Sequence, residues 1–178
     1  MSTNAIAIEN LQSAGQPWTE TLHEWVTTVD HKRLGILYIL YALFYLVIAG
    51  AEALIIRIQL MHAHNNFVSP QVFNRIFTMH GTTMIFFVAM PILFGFANYL
   101  VPLMIGARDM AFPRLNAFSF WLTALGGLLL YFSLLGGNGL YGAGSAPDVG
   151  WWAYAPLAAK AFSPGHSSDY WTIALLVS

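Results

Sequence analysis

The sequence predicts an all-α fold, a polytopic transmembrane helical bundle with three complete spans and the start of a fourth. Three observations carry that prediction. Of 178 residues, 57% are hydrophobic, 15% aromatic and only 8% charged, whereas roughly a quarter of a soluble domain is charged. The charges are unevenly placed, so long stretches hold none. Those stretches also match a bilayer. The 23 residues from Leu34 to Ile56 contain one charge, Glu52, and as a helix they span ~34 Å against a hydrocarbon core of ~30 Å.

Taken in order, residues 1–28 form an N-terminal arm without the basic start and apolar core of a cleavable signal. Residues 2–17 are expected to be mobile, while Trp18, Leu22 and Trp25 at near-helical spacing predict a short interfacial helix. Residues 29–178 form the membrane domain, with spans expected at 34–60, 74–106, 115–136 and 169–178. The second follows from the uncharged stretch Ile76 to Ala107, where His80 is the one exception, and the third from Leu115 to Asn138. Polar turns at Met61 to Pro70 and Gly106 to Arg114 join them. Gly136 to Ser168, rich in Gly, Pro and Ser and carrying Trp151, Trp152 and Tyr154, reads as a long ordered loop at the interface. Ser168 and Asp169 offer a cap to the last span. That span stops in the apolar run Ile173 to Val177, too short to cross, so the chain is expected to be part of a longer protein.

Composition excludes several functions. Seven Lys plus Arg against eight Asp plus Glu, with no basic block, leave nothing to neutralise a run of phosphates, so no nucleic-acid partner is expected. Without cysteine there is no disulfide, thiolate metal site or cysteine nucleophile. Lys32, Arg33, Arg108 and Arg114 fall on one side of the membrane and Arg57, Arg75 and Lys160 on the other, which favours a cytoplasmic amino terminus.

Polar residues at membrane depth need partners or a function. His80, about a turn inside the second span, fits either an axial metal or haem ligand or a histidine bonded to a neighbouring helix. Gly81 beside it leaves room for a flat ligand against the backbone. Arg57 and Arg75, at the membrane face nearest His80, suit haem propionates or simple snorkelling. Glu52 is open to pairing within the bundle or to a role in proton handling. Asn98 lies 18 residues after His80, ~27 Å along a helix, at the opposite face. There Asp109 and the i, i+3 pair Asn116 and Ser119 fit either the mouth of a proton path or plain helix capping. His62 and His64 read as a solvated loop.

Four blocks hold these residues: TTVDHKRLG (27–35), FTMHGTTMIFFVAMP (77–91), NYLVPLMIGARDMAFPRLNAFSFW (98–121) and GWWAYAPL (150–157). In this order the chain resembles subunit I of the haem-copper respiratory oxidases. The resemblance implies an enzyme that reduces dioxygen to water with electrons from cytochrome c, coupled to proton translocation. It implies that His80 is an axial ligand of the low-spin haem, that Arg57 lies near that haem's periphery and that Trp151 lies beside a propionate of the other haem. Asp109, Asn98, Asn116 and Ser119 match the entrance of a proton-uptake channel. The second, high-spin haem and copper are expected in the full-length subunit, on later helices, so no catalytic residue is expected here and the chain alone should be inactive. The implied partners are oxidase subunits II and III, cytochrome c and the lipid bilayer of a bacterial-type or mitochondrial inner membrane.

The chain departs from the family pattern at specific positions. Where quinol-oxidising members carry Arg, Asp, His and Gln, this sequence has Ile48, Glu52, Val72 and Arg75; only Glu52 keeps its character, so cytochrome c is the expected donor. Gln59 replaces a carboxylate that often holds calcium or sodium. A quinol oxidase or nitric oxide reductase subunit of the same superfamily and a non-enzymatic membrane transporter are the alternative readings.

Overall fold

A computed structural model describes residues 18–136 and 146–178, so the expected mobile arm at 2–17 and part of the long loop lie outside the described residues. Every regular element among them is helical. Helix α1 covers Trp18–Val26, α2 His31–Gln59 and α3 Pro70–Thr82. The last runs directly into a π-helical stretch, Thr83–Ala89, and then α4, Met90–Met104; α5 is Pro113–Gly136 and α6 Ser167–Val177. Three rods, His31–Gln59, Pro70–Met104 and Pro113–Leu134, are long and apolar enough to cross a membrane. The protein is a polytopic helical membrane protein.

Local chemistry sets the helix starts. The Asp30 carboxylate accepts from Lys32 N–H at 3.1 Å and caps α2. Helix α3 begins at Pro70, ahead of the expected residue 74, because the Ser69 hydroxyl accepts from Val72 N–H at 3.3 Å and Pro70 sits where no amide is needed. His80 therefore stands ~15 Å into its helix, deeper than the single turn expected. Helix α6 is not capped by Ser168 or Asp169. Its cap position falls on His166, whose Nδ1 lies 3.0 Å from the Asp169 carboxylate, so that carboxylate is drawn to the imidazole and not to the backbone.

The rods pack closely enough for backbones to touch. A Cβ on Gly35 of α2 would fall 2.8 Å from the Gly95 carbonyl oxygen of α4, the small-residue contact that membrane helices use where no hydrophobic force draws them together. Tyr45, Met79, Phe87, Leu130 and Trp171 form the main core between α2, the long rod, α5 and α6. Trp171 also donates from its indole N–H to Thr82 Oγ1 at 3.0 Å, tying α6 to the rod. Gly150 N–H donates to Thr78 Oγ1 at 2.9 Å and pins the segment before Trp151 against α3. Large apolar side chains such as Leu40, Phe44 and Val47 of α2, Leu93 of α4 and Leu128 of α5 are exposed, as suits helices whose solvent is lipid and protein.

Candidate functional site

His80 is held by the helix opposite. Its Nδ1–H donates to the Ala49 carbonyl oxygen at 3.0 Å. A carbonyl only accepts, so Nδ1 carries a proton, and in the neutral tautomer this leaves the lone pair on Nε2. A ring oriented this way, in an apolar setting, has the donor character of a metal ligand, for which a hydrogen bond on the far nitrogen is the usual support. Ala49 is itself fully buried.

The space beside Gly81 is already used. A Cβ there would lie 2.9 Å from Trp151 Cβ and 3.1 Å from its Cγ, so the missing side chain admits an indole rather than a flat ligand. The loop thereby brings Trp151 next to the residue following His80. Arg57 is not drawn into this group. It is exposed in the last turn of α2, eight residues beyond Ala49 and so ~12 Å further along the helix. Gln59 nearby is committed at both ends of its amide: Nε2–H donates to the Asn65 carbonyl at 2.5 Å, and Oε1 accepts from Val68 N–H at 2.9 Å. It closes the α2–α3 loop as a neutral clasp.

The opposite end gathers other polar groups. Asn98 is buried, and its carbonyl accepts from His31 Nδ1–H at 2.9 Å; His31 itself is 1% exposed. Tyr38 and Ser119 hydroxyls are 3.1 Å apart, joining α2 to α5. Asn116 is half-buried and its Nδ2 is sealed from solvent with no hydrogen-bond partner, an arrangement that a bound water would satisfy. Asp109 is exposed in the α4–α5 turn and accepts from Met110 N–H at 2.7 Å. His31 and Tyr38 escape a sequence reading of this end. A histidine directly after a capping aspartate looks like a solvated helix start, and only α4 buries it.

Glu52 faces inward. Tyr131 Oη donates to Glu52 Oε1 at 3.2 Å, and Thr83 Oγ1 lies 2.9 Å from Tyr131 Oη. Among the described residues no group of three or more His, Asp or Glu side chains is placed to hold a metal ion.

The family profile described as cytochrome c and quinol oxidase polypeptide I matches residues 33–178. The chain is 48% identical over 155 residues to cytochrome c oxidase subunit 1 of Alkalihalophilus pseudofirmus, covering 87% of the chain and 24% of the relative. It is 42% identical to quinol oxidase subunit 1 of Bacillus subtilis over all 178 residues, 26% of that protein. With heme-copper oxidase subunit I+III of Aeropyrum pernix it shares 44% over 156 residues, 88% of the chain and 18% of the relative. The chain thus spans about a quarter or less of the length of these relatives.

Proposed function

The chain belongs to the cytochrome c and quinol oxidase polypeptide I family, and on that premise we propose that it contributes these helices to the core subunit of a terminal respiratory oxidase. The enzyme reduces dioxygen to water with electrons from cytochrome c and couples this to proton translocation. The observation that carries the reading is the Nδ1–H bond from His80 to Ala49, which supports Nε2 as an axial donor to low-spin haem iron. The group fits: an imidazole held through Nδ1–H with Nε2 turned away from that bond, between apolar helices, suits haem iron. When bound, that haem supplies one-electron transfer between the donor and the oxygen-reducing centre.

The chain's own residues have separable roles. Ala49 holds the imidazole in one orientation, and Trp151 closes the space over Gly81. Arg57, at the membrane face, is a cation available to the haem's polar substituents. Asp109 collects protons from the aqueous side, and Asn98, Asn116 and Ser119 order water leading inward. Copper, the high-spin haem, subunits II and III, and a cytoplasmic amino terminus in a bacterial-type inner membrane complete the proposal at the level of the full-length enzyme.

The test is His80→Ala in the full-length oxidase. The low-spin haem signal should vanish, and an unchanged spectrum would refute the ligand assignment. Quinol as donor is a second reading, favoured by the relative matched along the entire chain. Against it, Glu52 is turned towards Tyr131, and Val72 and Arg75 are 9% and 7% exposed, so these positions do not offer a lipid-facing headgroup site. Comparing turnover on reduced cytochrome c and on a quinol decides between the donors.

A further inference from the structure

The hydrogen bond that orients His80 is accepted by a backbone carbonyl, so the direction of the ring depends on where α2 stands relative to α3. One bond between two rods permits sliding and pivoting about it. A second polar link lies one turn away on both helices. Ala49 and Glu52 are i, i+3 on α2, and His80 and Thr83 are i, i+3 on the rod; the two run antiparallel, with His31 against Asn98 and Gly35 against Gly95, so Glu52 and Thr83 lie on opposite sides of the Ala49–His80 level, ~9 Å apart along the axis, and the second link crosses the first. The second link passes through a third helix: Thr83 Oγ1 to Tyr131 Oη at 2.9 Å, then Tyr131 Oη to Glu52 Oε1 at 3.2 Å. Thr83 is fully buried, and the π-helical stretch begins at that residue; such stretches change the direction in which side chains leave a helix and are frequent at functional sites. Tyr131 is wedged by Tyr45, ring centroids 5.6 Å apart, and Tyr45 in turn packs on Phe87 at 5.8 Å. The far ends of α2 and α4 are clamped where Gly35 meets Gly95. The rods are therefore fixed at two separated places, one of them beside the histidine.

We propose that Glu52 and Tyr131 are positioning residues: with Thr83 they form a three-helix strut that sets the register of α2 against α3 and, through Ala49, the plane of the His80 imidazole. The proposal rests on the reading of His80 as an axial haem ligand. It gives Glu52, a carboxylate within the membrane span, a task that requires its hydrogen-bonding oxygen.

The experiment uses the full-length oxidase in its membrane and reads the electron paramagnetic resonance g-values and midpoint potential of the low-spin haem, both of which follow the orientation and hydrogen bonding of the axial imidazoles. Glu52→Ala and Tyr131→Phe should each move the largest g-value outside the parent line width, and the double variant should move it no further. Glu52→Gln, which keeps an oxygen able to accept from Tyr131, should retain the parental values. Should Glu52→Ala not assemble, Tyr131→Phe and Thr83→Val carry the same test without touching the carboxylate. Parental g-values and potential in Tyr131→Phe and Thr83→Val overturn the strut, as does a Glu52→Gln shift equal to that of Glu52→Ala. A low-spin signal that survives His80→Ala overturns the ligand reading instead, so the two failures are distinguishable.

Discussion

At the scale of single residues, function and packing meet at Gly81. Its Cα faces the Trp151 side chain so closely that an added methyl group would stand 2.9 to 3.2 Å from three atoms of that residue. Gly81→Ala should therefore displace the indole and cost about 1–3 kcal/mol, as overpacking commonly does. Tryptophan fluorescence and the thermal midpoint of the full-length oxidase measure this. Asp109 offers the opposite kind of test. It is exposed, and its carboxylate accepts from its neighbour's amide, so Asp109→Asn should leave the haem spectrum and stability intact. Proton-coupled turnover should fall, by at least tenfold if Asp109 collects the protons; a factor of ten corresponds to ~1.4 kcal/mol in a barrier. Steady-state oxygen consumption is the measurement.

At the scale of elements, glycines show which helix faces bear weight. A Cβ on Gly95 would meet Ile39 Cγ1 at 2.8 Å, the Gly35 carbonyl oxygen at 3.0 Å and Tyr38 Cβ at 3.1 Å, whereas one on Gly50 meets nothing within 4 Å. Gly95→Val should separate α2 from α4 and lower the thermal midpoint of the assembled oxidase. Gly50→Ala should be neutral or raise stability by ~0.5–1 kcal/mol through helix propensity alone. The helices themselves were legible in the sequence, because long uncharged runs of bilayer length have few alternatives. Their ends were less so. Pro70 extended α3 outward because Ser69 found Val72, and the His166 and Asp169 pair displaced the expected cap of α6. Such contests among short-range hydrogen bonds are nearly balanced in energy, and composition does not resolve them.

For the whole molecule, the described helices expose many large apolar side chains and, on the proposed reading, supply one haem-donor histidine, His80. His31 is buried against Asn98, while His23, His62, His64 and His166 are exposed. The 178-residue chain expressed alone should thus need detergent to remain dispersed and should not yield the absorption and magnetic signature of a bis-histidine low-spin haem. Reconstitution with haem, followed by optical and paramagnetic spectra, checks this.

By itself the sequence determined the membrane class, the helical fold, the family and the positions that could carry chemistry. Each follows from local composition or from short motifs in a fixed order. Only the tertiary structure decided what those positions face. It gave His80 its tautomer through Ala49, filled the space at Gly81 with Trp151, turned Glu52 inward to Tyr131 and left Arg57 exposed. The physical reason is that these outcomes depend on the register and rotation of one helix against another. A span's apolar pattern constrains that register weakly when lipid and protein interior are almost equally apolar.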